Sequence, residues 1–204
     1  MNKSILTKLG NKIELIDGKG KTLIIGVFHG DEPQGKYLID EYLKKNNAEG
    51  LLFIPCLNPD GLQLGKRTNA NGVDLNRNFP TKNWELTEKN EFFGGMSAGS
   101  EIETRFLIDT IDEFKPELIL TLHAPYKVVN YDGPAKEISE KISQIINYPV
   151  EESIGYPTPG SFGTYAGIER QIPAITLELD EACPVQDLVK SVFQIFDMLK
   201  KRGL

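Results

Sequence analysis

The stretch TLIIGVFHGDEPQG, residues 22–35, decides how the chain is read. Its first part is apolar, uncharged and rich in β-branched residues, which predicts a buried strand over 22–28. A histidine closes that run, and the chain has only two histidines. Beyond it, Asp31 is placed to cap a helix over 32–45, with Gln34 as its capping-box partner and Pro33 tolerated in the first turn. A turn between His29 and Glu32 aims both side chains into the crevice at the strand's carboxyl end, where open α/β sheets bind ligands.

The second histidine, His123, ends another apolar run, ELILTLH at 117–123. A His-x-x-Glu pair plus a distant histidine makes a His₂Glu set, a catalytic zinc arrangement that leaves the fourth position to water. His-x-x-Glu alone is a weak pattern, and a buried histidine is more often a hydrogen-bonded core residue than a ligand. What favours a metal at His29, Glu32 and His123 is that both histidines close strands.

Outward from these two runs, further strands are expected at 12–16, 51–55, 127–131 and 174–179, and helices at 100–114, 134–146 and 185–201. Near-continuous apolar strands alternating with amphipathic segments indicate α/β architecture, a three-layer α/β/α sandwich around a largely parallel or mixed sheet. No repeat, low-complexity tract or linker divides the chain, so residues 1–204 are expected to form one domain. Two irregular stretches stand apart: 57–84, rich in Asn, Gly and Pro, and the loop GYPTPGSFGTY at 155–165. Loops this long in a compact domain are usually functional or disordered.

The composition, 40% hydrophobic and 25% charged, is that of a soluble globular protein. A net charge of −6 without any Lys/Arg run argues against a nucleic-acid partner. No apolar stretch approaches the roughly 20 residues of a membrane span, and the first residues lack a signal-peptide pattern. Cys56 and Cys183, without CxxC spacing, are expected to be reduced thiols in a cytoplasmic protein.

After HGDE come NPDG at 58–61, RTNANGVDLNRNFP at 67–80, GSEIET at 99–104 and PAITLEL at 173–179, in that order. The set resembles the zinc metallocarboxypeptidase family. Within it, HGDE, NRNFPTKNW, HAP and GSFGTYAG are most similar to the bacterial murein peptide amidases, which cut the γ-D-glutamyl–diaminopimelate bond. The resemblance spans about residues 23–180. It implies a mixed, mostly parallel sheet of about eight strands inside an α/β/α sandwich, and one Zn²⁺ per chain held by His29, Glu32 and His123.

It also implies roles. Glu178, a charge near the end of an apolar strand, matches the family's general base. Arg67 matches the arginine that stabilises the carbonyl oxygen as it gains charge. Asn76 and Arg77 match the pair that grips the substrate's terminal carboxylate, a task suited to arginine's planar fork. Asp74 matches the carboxylate behind the first histidine, and the spacing of Tyr156 before Glu178 matches a mobile substrate-holding tyrosine. Ser100 and Glu103 read as a capping box, Phe79, Trp84 and Tyr165 as packing, and Asp180 and Glu181 as solvated turn residues.

Digestive carboxypeptidases carry arginine between the first histidine and the glutamate, where this chain has Asp31, and often serine after the second histidine, where it has Ala124. These departures fit the amidase branch and a murein tripeptide substrate with a free carboxylate. Asp132 and Thr164 are candidates for the far end of diaminopimelate, with structural roles as the alternative. Competing readings are a carboxypeptidase for ordinary peptide C-termini, an N-acyl amino-acid deacylase, and a non-catalytic zinc- or peptide-binding scaffold.

Overall fold

The computed structural model describes residues 3–152 and 158–201. One eight-stranded sheet runs through it: β1 (Lys3–Leu6), β2 (Lys12–Asp17), β3 (Thr22–Gly26), β4 (Leu52–Ile54), β5 (Leu118–His123), β6 (Val128–Asp132), β7 (Val150–Glu151) and β8 (Ala174–Glu178). Their order is β1-β2-β4-β3-β5-β8-β6-β7. The central four, β4-β3-β5-β8, are parallel, whereas β1 and β2 join antiparallel on one side and β6 pairs antiparallel with β8 on the other. The sheet is therefore mixed, with its parallel part in the middle.

Both faces of that middle are covered, which is why its strands read as unbroken apolar runs. Ile24, Phe53, Leu120, Leu122 and Leu177 meet α1 (Gln34–Lys45), α4 (Lys136–Ile146) and α5 (Val185–Lys200) on one face. Leu23, Ile25, Ile54 and Ile119 meet α3 (Ile102–Phe114) and the loop residues Leu75, Phe79 and Phe162 on the other. These are the three layers. Helix α1 presents Leu38, Ile39 and Tyr42 inward at helical spacing. Each such full burial stabilises by about 1.5–3 kcal/mol.

After β3 the chain crosses through α1 to β4 on one side, yet the next strand, β5, lies on β3's other flank. The order reverses between β3 and β5, and the carboxyl end of such a reversal is where open α/β sheets form a crevice.

Several local expectations differ from the structure. Strand β3 stops at Gly26, not Phe28, because Val27 takes φ 56°. A β-branched residue there is a true outlier, at about 1–3 kcal/mol of strain. It is held by the Leu57 N–H donating to the Gly26 carbonyl (3.0 Å) and the Asn58 N–H donating to the Val27 carbonyl (2.9 Å). Helix α1 begins at Gln34 behind Pro33 with no side-chain cap, so Asp31 stays exposed rather than capping it. Ser100 does not cap α3 either. Its hydroxyl donates to Glu101 (2.6 Å), and Glu103 is buried against Asn69 (3.2 Å). The first irregular stretch contains α2 (Pro59–Leu64), whose Asn58 cap accepts from the Gly61 N–H at 2.9 Å. Strands β1 and β7 were not expected at all.

Candidate metal centre and its cavity

His29 follows β3, His123 is the last residue of β5 and Glu178 the last of β8, with His123 and Glu178 side by side in register. Three neighbouring parallel strands thus deliver one residue each to the same end of the sheet. The His29–Glu32 turn is closed by the Glu32 N–H donating to the His29 carbonyl (3.2 Å). Gly30 is required there, because a Cβ would lie 2.0 Å from the Gly61 backbone of α2.

The side chains converge. Nδ1 of His29 lies 2.7 Å from Oε1 of Glu32, and Nδ1 of His123 lies 2.9 Å from Oε2 of the same carboxylate. One ligand atom from each residue falls within 4.8 Å of the others. Phe28 stacks on the His123 ring at 5.3 Å and Ala124 N–H donates to Glu32 at 3.3 Å, so neither ligand is free to swing.

Asp74 lies behind the His29 ring. Its Oδ1 sits 3.2 Å from Nε2, and its Oδ2 accepts from Nε and Nη2 of Arg67 at 3.1 and 2.9 Å. A His29 that donates from Nε2 turns the Nδ1 lone pair toward Glu32, as metal-ligating histidines do. Two acceptors at 2.7 Å need a proton or a metal ion between them, and the donor set suits Zn²⁺. Burial alone would lower the His29 pKa, but Asp74 and Glu32 overcome it and raise the imidazole to about 9. Burial would raise Glu32, and the two histidines instead hold it well below the usual carboxylate range.

Glu178 is buried and its Oε2 has no hydrogen-bond partner among the described residues. Burial pushes its pKa up, partly opposed by His123 and assisted by Glu32. Nη1 of Arg67 reaches 3.3 Å from His29 Nδ1, at the rim of the ligand cluster, while its guanidinium lies 5.1 Å from the Phe92 ring.

His29, Glu32, Arg67, His123 and Glu178 open onto a cavity of 540 Å³. Asn76 and Arg77 line it too. Asn76 Oδ1 accepts from the Phe162 N–H (2.9 Å), and Arg77 is steadied by donating to the Asn76 carbonyl (2.7 Å). Asn130, Asp132, Gly163 and Thr176 form another part of the wall. Burial alone raises the Asp132 pKa to about 6, and its carboxylate makes no hydrogen bond or ion pair among the described residues. Thr164, the other far-end candidate, instead lies 3.0 Å from Ser161 Oγ. Tyr156 lies outside the described residues. Phe79 and Tyr165 are core, as expected, and Asp180 pairs with Lys127 at 2.7 Å.

The sequence reading missed Asn130 and Thr176, though a signal was available. In VVNYD and ITLEL the polar residues fall at every second position, and the register pairs Asn130 with Thr176 and Val128 with Glu178. One polar face of two adjacent strands was written in that alternation.

A mixed sheet with a His₂Glu cluster at its switch point, beside a buried glutamate oxygen that has no hydrogen-bond partner among the described residues, is the layout of a metallohydrolase of carboxypeptidase type. Residues 7–154 match the zinc carboxypeptidase family model, and the chain belongs to that family. It is 32% identical to murein peptide amidase A of Escherichia coli K12, over 87% of this chain and 78% of the relative. The corresponding enzyme of Vibrio campbellii is 35% identical, over 80% and 71%. The solved murein-tripeptide amidase of Escherichia coli O157 superposes with a TM-score of 0.88 at 29% identity, covering 98% and 91% of the two chains. Carboxypeptidase A of Helicoverpa armigera shares the fold at a TM-score of 0.73 and 17% identity. Among the described residues no helix is long and apolar enough to cross a membrane.

Proposed function

We infer that the protein is a zinc-dependent amidase that cleaves the γ-D-glutamyl–meso-diaminopimelate bond of murein peptides. The observation that carries the reading is Asp132, a carboxylate without a partner among the described residues, in the same cavity as Asn76, Arg77 and the metal ligands. Strand register sets Asp132 opposite Ala174, four residues from Glu178 on β8, roughly 13 Å along the strand. A diamino acid held by its carboxylate at Asn76 and Arg77 carries a second ammonium at the end of its side chain. Asp132 is the group to receive it. Likeness to the two murein peptide amidases supports the same substrate.

Zn²⁺ bound by His29, Glu32 and His123 would polarise the scissile carbonyl and acidify an attacking water. Glu178 takes a proton from that water and passes it to the leaving amine. Arg67, oriented by Asp74, offers Nη1 to the carbonyl oxygen as charge builds on it. Asn76 and Arg77 hold the substrate's terminal carboxylate. The reading includes a cytoplasmic setting. Both cysteines are free, and burial pushes the Cys56 thiol up to about 12, which leaves it unreactive.

The family also contains carboxypeptidases, and Asp132 would suit a peptide ending in lysine. Hydrolysis of L-Ala–γ-D-Glu–diaminopimelate is therefore to be compared with its lysine analogue and with α-linked dipeptides ending in lysine. Preference for the α-linked substrates overturns the amidase reading.

Asp132→Asn is expected to raise KM for the diaminopimelate substrate about tenfold with kcat nearly unchanged, since it removes ground-state binding. The charge on Asp132 is present above about pH 6 and lost below it. Wild-type KM should rise as pH falls through that value, and the Asn variant should lack this dependence. A KM that moves equally in both proteins removes Asp132 from substrate recognition.

A further inference from the structure

Two cavities adjoin at Asp31, Arg67 and Glu91, and the first of them holds the metal ligands. It also takes in Asn76, Arg77 and Asp132, where the reading above places the leaving amine. The second has a volume of 470 Å³. Beyond that junction its walls include Lys66, Thr68 and Lys89, and none of the three amine-side residues reaches it. An amide held at the metal has an acyl half and an amine half that extend in opposite directions. With the amine half in the first cavity, the acyl half runs into the second.

The chemistry of that second cavity is uneven. Its acids, Asp31 and Glu91, stand at the junction, and its lysines lie beyond them. Arg67 is committed to Asp74. Lys66 and Lys89 enter no ion pair among the described residues, and the Lys89 ammonium sits 5.8 Å over the Phe93 ring. Two ammonium groups are thus free to meet an anion on the acyl side, in a chain whose net charge of −6 would otherwise repel one.

A γ-linked glutamyl group differs from an α-linked one in a way these lysines can read. Linkage through the side chain leaves the α-carboxylate free, whereas an ordinary peptide presents a neutral amide at that point. We propose that Lys66 and Lys89 bind the free α-carboxylate of the acyl residue and thereby select γ-glutamyl amides. The proposal rests on the amidase reading and adds to it the part of the protein that recognises the γ linkage.

The test compares γ-D-Glu–diaminopimelate with the analogue whose α-carboxylate is a carboxamide, using the zinc-loaded full chain. Wild type is expected to favour the carboxylate by about tenfold in kcat/KM, the scale of two solvent-exposed charge contacts. That preference should shrink as salt rises from about 0.05 to about 0.5 M. In the K66Q/K89Q double variant the ratio should fall close to one, with zinc content and melting temperature matching wild type. Two results overturn the proposal alone: no wild-type preference between the two substrates, or a preference that the double variant retains. A wild type that cleaves neither γ-linked substrate, yet cleaves an α-linked peptide, removes the amidase reading and this proposal together.

Discussion

Glu178→Gln is expected to lower kcat by about a thousandfold or more, near the upper range for loss of a positioned general base, while the protein still binds one zinc. The amide has the shape of the carboxylate, so packing at the end of β8 is preserved. What is lost is the capacity to accept a proton at an oxygen that is buried, has no hydrogen-bond partner among the described residues and sits in register with His123. Burial has already raised the affinity of Glu178 for protons, toward the range a base needs near neutral pH. The measurement is kcat on the diaminopimelate tripeptide alongside metal content. Near-normal turnover with a full zinc complement would remove Glu178 as the base.

His123→Ala, or stripping the metal with a chelator, is expected to abolish measurable turnover. Glu32 bridges both histidines at 2.7 and 2.9 Å, so losing one imidazole leaves a largely buried carboxylate with only the other imidazole and the Ala124 amide. The wild-type chain should also melt higher with zinc. A ligand at a thousandfold excess over its Kd adds about 4 kcal/mol, which for a chain of this size corresponds to about 10 °C. Calorimetry with and without zinc reads both effects. A His123→Ala protein that shows the wild-type zinc-dependent shift would place the metal elsewhere.

How far the sequence carried this reading depends on where each residue stands. His29 and His123 close apolar runs and Glu178 interrupts one near its end, and a polar group in such a position is conspicuous against its surroundings. Both faces of the central strands are buried, so their runs have no competing period and the layer architecture follows. Arg67, Asp74, Asn76 and Arg77 are different. They lie in a stretch with no periodicity, where only the resemblance of the whole motif set assigns them a place. The caps failed because Asp31 and Ser100 have the right chemistry but the helices start later, behind Pro33 and Glu101. Helix α2 is one short turn-rich segment, and β1 and β7 are edge strands whose burial is too slight to imprint a pattern. Asp132 could be suspected from its substrate chemistry, but its lack of a partner among the described residues is a property of the folded cavity alone.

Val27 carries a consequence for how the ion is received. A chain selected for folding stability alone would have glycine at a left-handed position two residues before a ligand. Glycine would also open several alternative backbone basins to the segment that carries His29. Valine by itself favours the extended and right-handed basins, so it is the neighbouring amides of Leu57 and Asn58 that fasten the left-handed one it adopts. The imidazole is consequently set in place during folding, and arrival of the cation has little backbone order left to impose.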